Sequence, residues 1–350
     1  MKHTLKLLYL TIAIIFLGSC KTDEPKKAFG TADFSFALQA GSTNTIHFKA
    51  TVTGSYELLE WTFHDGTSVT DTKETDHYFP FKGSFPVTLT LWNKGEKVTT
   101  TKTVEITVND PNYAGPALLW SDEFDGSTLN SSVWIPETGI RFNNELQEYQ
   151  SSGNHTVSGG VLTITAKKIN ENKQFGSYTS ARLISKAKKE FKYGRMEIRA
   201  KLPKGKGTWP AIWMLGSNID GVSWPTCGEI DIMEYVGYNP GWVKGSIHCA
   251  SNFAGNAIGG DYAITNEQDF HIYGITWTAD KIEYYVDDKT KPYHTYNPNP
   301  KTLANWPFEQ PFFFILNVAI GGDWGGAQGI DNTIFPVTMV VDYVRVYALE

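Results

Sequence analysis

The chain has 350 residues, enough for one large domain or two of moderate size, and its apolar fraction of 41% can support a substantial buried core. The formal net charge of −6 argues against the basic face that a nucleic-acid partner requires, so no nucleic-acid binding is expected. The 11 Trp, 17 Tyr and 20 Phe residues suit β-strands, and some should also stack on sugar rings, whose apolar C–H faces fit a flat side chain.

The first 19 residues have the pattern of an export signal. Lys2 and Lys6 precede an apolar run at 7–17, which is shorter than the roughly 20 residues that cross a bilayer. The run ends in the sequence LGSC, which resembles a bacterial lipobox and implies cleavage before Cys20 with a lipid on its sulfur. The alternative is ordinary signal cleavage near Ser19.

Residues 20–30 are predicted to form a disordered tether, because the sequence KTDEPKK is charged and contains proline. The acidic pair Asp23 and Glu24 resembles the surface-export signal of Bacteroidetes lipoproteins. These features predict a bacterial outer-membrane lipoprotein that is exposed at the cell surface and held to the membrane by its N-terminal lipid.

Residues 31–108 consist of short alternating segments separated by turn residues at even spacing, a pattern that predicts a small β-sandwich. The segment resembles a PKD-type, immunoglobulin-like domain through Trp61, Phe63, Asp65, Gly66, His77, Tyr78 and Gly83. His64 stands where that family usually has glycine. Since the segment has no acid/base pair of its own, a role as a spacer is favoured over a role in binding.

Residues 109–117 are rich in Pro, Gly and Asn and are predicted to form a linker. From residue 118 to residue 350 the sequence again consists of strand-like segments, and no long period of 3.6 residues appears. This pattern predicts one large antiparallel sandwich, so the whole chain is expected to be all-β.

The segment from Glu229 to Glu234 places three carboxylates in a strand that otherwise has isoleucines at alternate positions. Glu229 and Asp231 share one face of a regular strand, whereas Glu234 would point into the core. Because an unpaired buried carboxylate is costly, we expect a β-bulge near Met233 that returns Glu234 to the acidic face. Repulsion among such acids raises the pKa of at least one, as glycosidic cleavage requires. The alternative is a solvated strand face, which the surrounding Trp-, Pro- and His-rich segments oppose.

The sequence EIDIME resembles the signature of glycoside hydrolase family 16, E-[IL]-D-[IVAF]-x(0,1)-E, in its longer, bulged form. Other family segments follow in order over residues 118–350, among them WSDEFDG, NNELQEY, WPAIWML and VVDYVRVY. The bulged form, together with NNELQ and WPAIWML, is most similar to the endo-β-1,3-glucanase (laminarinase) branch. The resemblance implies a concanavalin-like β-jelly roll whose concave sheet forms the substrate cleft.

The same resemblance implies a retaining double displacement on β-1,3-glucan and, as a further substrate, mixed-linkage β-1,3/1,4-glucan. Glu229 matches the nucleophile and Glu234 the acid/base, while Asp231 between them would share a proton with the nucleophile. One alternative is a galactan hydrolase resembling agarases and carrageenases, against which NNELQEY and WPAIWML favour glucan. The other is a surface glycan-binding protein without catalysis, which the three intact carboxylates oppose.

Six further residues match substrate-binding positions of the family: Asn144, Arg195, Trp209, Trp213, Trp224 and His248. Asn144 and Arg195 would bind glucose hydroxyls, and alternation with apolar neighbours places Arg195 on a cleft wall. The first two tryptophans would line the donor side, with core packing as the alternative, and Trp224 would stack near the cleaved bond. His248 would contact the acceptor side, although a lone histidine is equally expected to be structural.

No cofactor is expected for catalysis, but a structural Ca²⁺ site is predicted. Asp342 shares a face with valines, and a carboxylate on an apolar face needs a partner. Family members often bind calcium on the convex side, and the matching ligands are Asp342, Glu123 and the backbone carbonyl of Gly160, all hard oxygen donors. The alternative is a hydrogen-bonded aspartate without metal.

Cys227 and Cys249 are the cysteines that remain after Cys20, and no cluster of Cys and His has zinc spacing. The sequence GYNPG at 237–241 predicts a turn, which would fold the chain back and bring the two cysteines opposite each other. We expect them to be adjacent and able to form a disulfide, which requires a Cα separation of roughly 4.4–6.8 Å. The protein is expected to be a monomer.

Overall fold

The computed structural model of the protein describes residues 29–63, 67–111, 113, 115–139 and 142–349. Cys20, with the predicted signal peptide, lies outside these residues, as do His64, Asp65 and Gly66. Within the described ranges the helical elements are α1 (Ile219–Val222) and a 3-10 turn at Ala254–Asn256, so the prediction of an all-β fold is confirmed. No helix in this part of the chain has the length and apolar character needed to cross a membrane.

The N-terminal sandwich consists of short strands that alternate between buried and exposed side chains. In the described residues these strands are β1 (Gly30–Leu38), β2 (Thr45–Gly54), β3 (Leu58–Thr62), β4 (Ser68–Thr70), β5 (Glu74–Tyr78), β6 (Gly83–Asn93) and β7 (Glu96–Ile106). One sheet has the order β1-β2-β5 and the other β4-β3-β6-β7. Trp61 lies in the core between them, 5.2 Å from the ring of Phe34 and 5.7 Å from that of Phe48. His77 stacks on Phe63 at 3.9 Å, so two residues of the PKD-like pattern hold the sheets together.

The second sandwich contains the remaining strands. Their bounds are β8 (Leu118–Asp122), β9 (Ile135–Pro136), β10 (Gln147–Tyr149), β11 (His155–Ser158), β12 (Val161–Lys168), β13 (Tyr178–Ser180), β14 (Arg182–Ile184), β15 (Glu190–Phe191), β16 (Gly194–Lys201), β17 (Thr208–Gly216), β18 (Glu229–Tyr235), β19 (Trp242–His248), β20 (Ile258–Ala263), β21 (His271–Trp277), β22 (Ile282–Val286), β23 (His294–Tyr296), β24 (Phe312–Ile320) and β25 (Val337–Tyr347). Neighbouring strands pair antiparallel apart from the short β10–β13 pair, which is parallel.

Two large sheets face each other across the core of this sandwich. In the described chain the larger sheet has ten strands, in the order β10-β13-β12-β25-β16-β21-β22-β23 with β11 beside β12 and β8 beside β25. The smaller sheet has eight, in the order β20-β19-β18-β17-β24-β14-β9 with β15 beside β24. Met196 and Ile198 of β16 face Ile212 and Met214 of β17 through the core, and all four are fully buried. The alternate residues of β17 and β18 therefore point away from the core, onto the outer face of the smaller sheet.

The N-terminal sandwich packs on the outer face of the ten-stranded sheet. Phe81 lies 5.8 Å from the ring of Tyr347, and the guanidinium of Arg345 lies 5.4 Å from the ring of Phe85. Arg345 is also held by two hydrogen bonds to Glu123, of 2.9 and 2.7 Å. The two sandwiches thus share aromatic packing and an arginine–aromatic contact in addition to the chain that joins them.

Candidate active site

The acidic strand β18 lies between β17 and β19 and contains the predicted bulge. Asp231 pairs with Trp213, Met233 with Ile212, and the register shifts between these pairs. The extra residue leaves Ile232 and Met233 both in the core and returns Glu234 to the face of Glu229 and Asp231. The cost of an unpaired carboxylate in the apolar core was the basis of this prediction, and the bulge places Glu234 in the cleft instead.

The three carboxylates lie in an open cleft of about 1080 Å³ on the outer face of the eight-stranded sheet. The cleft crosses the strands, from β14 and β24 on one side of β18 to β19 and β20 on the other. Its lining includes Arg182, Trp209, Trp213, Trp224, Trp242, Lys244, His248, Asp261 and Asn317. Of the six predicted substrate-binding residues, the structure places three tryptophans and His248 here.

Each catalytic candidate glutamate accepts a hydrogen bond from an indole. Trp209 Nε1 donates to Glu234 Oε1 at 3.0 Å, and Trp224 Nε1 donates to Glu229 Oε2 at 2.7 Å. Trp213 belongs to the other side of the cleft, where its Nε1 donates to Asn317 Oδ1 at 2.7 Å. These bonds fix the rotamers of both carboxylates. In each case the donor is a neutral indole and not a cation.

Asp231 is almost completely buried between the two glutamates. Ser246 Oγ donates to its Oδ2 at 2.7 Å, and His248 Nε2 lies 3.0 Å from the same oxygen. His248 Nε2 is also 3.7 Å from Glu229 Oε1, while its Nδ1 accepts the backbone N–H of Ala254 at 3.0 Å. His248 therefore presents a proton on Nε2 towards Asp231 and Glu229.

The pKa values in this cluster follow from burial and from the close spacing of its charges. Burial and the charge of Asp231 raise the pKa of Glu234 to about 8, although its bond from Trp209 acts in the opposite direction. Burial and Asp231 also raise the pKa of Glu229 well above its usual range, against the lowering effect of His248. Burial alone would lower the pKa of His248, but its hydrogen bond to Asp231 and the nearby carboxylates raise it to about 9. At neutral pH Glu234 therefore carries a proton that it can donate.

A second polar network lies on the β14 and β24 side of the cleft. Gln147 donates to Glu145 at 2.6 Å, and Asn317 donates to the Tyr149 hydroxyl at 3.1 Å. Arg182 lies 4.6 Å from the ring of Trp213, against which its guanidinium packs. The members of this network were not predicted from the sequence, although Glu145, Gln147 and Tyr149 alternate within the segment NNELQEY. That alternation was the signal that could have placed them on one face.

Asn144 lies at the edge of this region. It is exposed, adopts a left-handed backbone conformation with φ of 55°, and donates to Asp323 Oδ1 at 2.8 Å. The cleft is lined by its neighbour Asn143 and by Asp323. Asn144 thus supports a residue of the lining and is not itself part of it.

The prediction that Arg195 lies on the cleft wall is wrong. Arg195 does face away from Met196 and Ile198, but its strand β16 belongs to the ten-stranded sheet, whose outer face is opposite to the cleft. Its guanidinium is 3.9 Å from the ring of Tyr347 and forms an ion pair with Glu197. Alternation identified the correct face of the strand, but the strand lies in the other sheet.

The residues predicted to bind calcium also lie on this outer face. Asp342 accepts a hydrogen bond from Arg199 at 2.7 Å, and Glu123 accepts two from Arg345. Burial raises the pKa of Asp342, against the lowering effect of Arg199. Arg199 binds one oxygen of Asp342, and Arg345 binds both oxygens of Glu123. The two guanidinium groups supply the positive charge that a cation would bring, so this arrangement fits ion pairs better than a metal site. Gly160, in the turn before β12, faces Ser84 of the N-terminal sandwich. Calcium binding is therefore a prediction from the sequence that these arginine contacts oppose and that chelation tests.

The predicted disulfide is wrong, because both Cys227 and Cys249 are free thiols. The predicted turn is present, since β18 and β19 form a hairpin in which Glu229 pairs with His248. Continuing that register places Gly228 opposite Cys249, so Cys227 is offset by one residue and points to the other face of the sheet. The two side chains accordingly belong to different apolar clusters.

The fold and the cleft define a class of protein. An open groove across a β-sandwich, with two indole-held glutamates and a buried aspartate between them, has the groups that a glycoside hydrolase requires. Residues 142–345 match Glycosyl hydrolases family 16, and residues 30–108 match the PKD domain. The chain belongs to glycoside hydrolase family 16.

Relatives with known names resemble the second sandwich. The chain is 46% identical over 246 residues to a β-glucanase of Rhodothermus marinus, covering 66% of this chain and 84% of that protein. It is 41% identical over 271 residues to glucan endo-1,3-β-glucosidase A1 of Niallia circulans, covering 69% of this chain but only 39% of that longer protein. The crystal structure of a laminarinase from Flavobacterium sp. UMI-01 superimposes with a TM-score of 0.62 at 47% identity, covering 66% of this chain and all of that one. These likenesses extend over the jelly roll, which confirms the predicted fold class.

Proposed function

We propose that the protein is a retaining endo-β-1,3-glucanase that cleaves laminarin-type glucan. The observation that carries this proposal is the arrangement on β18, where Glu229 and Glu234 lie on one face and each is held by an indole N–H. The similar proteins include a laminarinase and a glucan endo-1,3-β-glucosidase, and this supports β-1,3-glucan as the substrate. Mixed-linkage β-1,3/1,4-glucan is proposed as a second substrate.

In the first step, Glu229 Oε attacks C1 of the sugar on one side of the cleaved bond. The C1–O bond breaks as Glu234 donates its proton to the departing glycosidic oxygen, and a glycosyl ester forms on Glu229. The raised pKa of Glu234, about 8, keeps that proton available at neutral pH. In the second step Glu234, now a carboxylate, takes a proton from water as the water oxygen attacks C1 and releases Glu229. Two inversions at C1 retain the β-configuration.

Asp231 allows Glu229 to act as a carboxylate despite its burial. The two acids are neighbours on one face and share a hydrogen bond, so the proton in that bond is proposed to be shared between them as Glu229 attacks. Ser246 and His248 hold Asp231 in place through the 2.7 and 3.0 Å contacts. His248 is thus proposed as a positioning residue for Asp231 as well as a neighbour of the substrate.

The test of this function is hydrolysis of three polysaccharides by the mature protein. Laminarin, barley mixed-linkage glucan and agarose are incubated separately, and new reducing ends are measured together with the anomer first released. We expect fast release of the β-anomer from laminarin and slower release from mixed-linkage glucan. Cleavage of agarose alone would support a galactan hydrolase, and binding of glucan without new reducing ends would support a glycan-binding protein.

We further propose that the enzyme is monomeric and is held at the outer membrane, facing outward, through a lipid on Cys20. The proposal of a lipid anchor rests on the sequence LGSC at the end of the apolar run. Labelled palmitate should be incorporated into the wild-type protein in cells and not into Cys20→Ala, whose protein should be released from the membrane. Degradation by protease added to intact cells would identify the surface-exposed form.

A further inference from the structure

The cleft continues beyond the catalytic carboxylates onto β19 and β20, and this side contains a tryptophan to which no role has been assigned. Trp242 begins β19, lines the cleft and has 47% of its surface exposed. A large aromatic side chain left open in a groove is typical of a surface that binds a ligand, since exposure costs free energy that a bound apolar face recovers.

Trp242 occupies the position on β19 that Trp209 occupies on β17. The two cross-strand partners of Glu234 are Ala211 on β17 and Lys244 on β19. Trp209 and Trp242 each lie two residues before these partners, so they point into the cleft at the same level on opposite sides of β18. Two inter-strand spacings separate their backbones by roughly 10 Å.

The two tryptophans nevertheless make different contacts. Trp209 donates its N–H to Glu234, and its ring is packed edge-to-face on Trp324 at 5.6 Å. Its role is therefore to hold the acid/base. Among the described residues no hydrogen bond joins the side chain of Trp242 to a carboxylate, and its exposed ring is available for a ligand that enters from the β20 side.

Polar groups suited to sugar hydroxyls lie beside Trp242. Lys244 shares its face of β19, and Asp261 of β20 pairs with Lys244 across the strands, with 3.7 Å between Nζ and Oδ1. Both side chains line the cleft, and the aspartate is largely exposed. An ammonium group donates and a carboxylate accepts hydrogen bonds, so the pair can bind vicinal hydroxyls on a ring that stacks on the indole.

We propose that Trp242, Lys244 and Asp261 form a sugar subsite that binds the glucan chain on the β19–β20 side of the cleaved bond and makes the enzyme favour long chains. The inference rests on the proposed function, because the occupant is a further stretch of the same neutral β-glucan. The ring of Trp242 contacts the C–H face of one glucose unit, and Lys244 and Asp261 bind its hydroxyls.

The experiment compares wild type, Trp242→Ala and Trp242→Phe on short and long laminari-oligosaccharides labelled at the reducing end, so that the bond cut can be identified. We expect Trp242→Ala to lower kcat/KM on long chains by about tenfold, mainly through KM, as the loss of one aromatic contact predicts. Its preferred bond should shift to positions that leave the β19–β20 side empty. Trp242→Phe keeps a ring and should retain most of the wild-type pattern.

Leu303→Ala is the control, because Leu303 is 91% exposed and is not part of the cleft lining. It should leave the cleavage pattern unchanged, and equal melting temperatures will show that Trp242→Ala is folded. An unchanged kcat/KM and bond preference in Trp242→Ala, with active wild type, overturns the subsite and leaves the proposed function standing. If the wild type cleaves no laminari-oligosaccharide, the proposed function itself fails.

Discussion

The two outer faces of the catalytic sandwich use buried carboxylates in opposite ways. On the face opposite the cleft, three acids each bind an arginine: Glu123 with Arg345, Glu197 with Arg195, and Asp342 with Arg199. On the cleft face, the glutamates of β18 accept hydrogen bonds from neutral indoles, and His248 Nε2 lies 3.7 Å from Glu229 Oε1. A full positive charge offsets the cost of burying a carboxylate, whereas a neutral donor leaves a site where the proton is retained.

This difference separates structural acids from reactive ones. Asp342 and Arg199 join β25 to β16, and Arg345, which is held by Glu123, packs on Phe85 of the N-terminal sandwich. The cleft acids repel one another, and burial with that repulsion raises the pKa of Glu234 to about 8. Perturbed carboxyls in a groove are typical of catalysis, and those in ion pairs are typical of a scaffold. Substitutions on the two faces should therefore change different properties, activity on one and stability on the other.

The largest effects are expected from the two glutamates. Glu229→Ala removes the nucleophile and should lower kcat on laminarin by at least about 10⁴-fold. Glu234→Ala removes the proton donor and should lose about 10²- to 10⁴-fold on laminarin, but much less in the first step on an aryl glycoside whose leaving group needs little protonation. Azide should restore turnover in Glu234→Ala and give the β-glycosyl azide.

In Glu229→Ala, azide can attack only from the opposite face and should give the α-azide. Analysis of the products by NMR distinguishes the anomers. Reversed anomers would mean that the two roles are exchanged. Full activity in both variants would make the acidic strand a solvated face and would remove the basis of the catalytic assignment.

The pH profile should respond to the neighbours of Glu234. Its pKa is raised, so the protonated acid is present below about pH 8, and kcat/KM should fall as the pH rises through that value. Asp231→Asn removes a charge that raises this pKa, so its alkaline limb should move to lower pH. Trp209→Phe removes a hydrogen bond that lowers it, so its limb should move to higher pH.

Measured pH–rate curves for these two variants and for the wild type test the assignment through the signs of the shifts, even where the rates themselves fall. Shifts in the same direction would show that another group controls the alkaline limb. Leu303→Ala serves here too as a variant whose curve should match the wild type.

On the other face, Arg345→Met should reduce stability and spare catalysis. The change leaves Glu123 without its partner in a largely buried position and removes the contact with Phe85. Breaking such a pair costs about 3–5 kcal/mol in the free energy of unfolding. The double variant Arg345→Met, Glu123→Leu removes both charges and should recover much of that loss. The test is urea unfolding with kcat measured in parallel. A kcat that fell as steeply as the stability would contradict this account.

Removal of the N-terminal sandwich should also reduce stability and spare catalysis, with a smaller loss of stability than Arg345→Met. A chain that begins at about Ala117 is expected to fold and to cleave laminarin, because the cleft lies on the opposite side of the jelly roll. It loses the packing of Phe81 on Tyr347, so its melting temperature should fall, by about 2–4 °C for each kcal/mol lost. If the shortened protein is insoluble or inactive, the N-terminal sandwich belongs to the catalytic unit.

Chelation should have the smallest effect. Arg199 and Arg345 already bind the carboxylates that calcium would need, so we expect the same melting temperature with and without a chelator. A bound ion must raise apparent stability. A lower melting temperature in chelator that added calcium restores would establish the predicted metal site and contradict the ion-pair account.

Local periodicity was enough to predict the catalytic strand. In a strand of period two, Glu234 had to enter the core or be moved by a bulge, and the price of an unpaired buried carboxylate decided between them. The same reasoning placed Arg195 on the side away from Met196. The order of family segments along the sequence identified the jelly roll and the PKD-like sandwich, because each segment carries its own turn and strand pattern.

The contacts that each strand face makes were decided by the tertiary structure alone. Periodicity assigns residues to a face of a strand, but the sheet to which the strand belongs depends on pairing between segments far apart in sequence, and so Arg195 lies opposite the cleft. Arg345 reaches Glu123 across 222 positions of sequence, which no local pattern could reveal. A register offset of one residue likewise put Cys227 and Cys249 on different faces, because each step along a strand reverses the direction of the side chain.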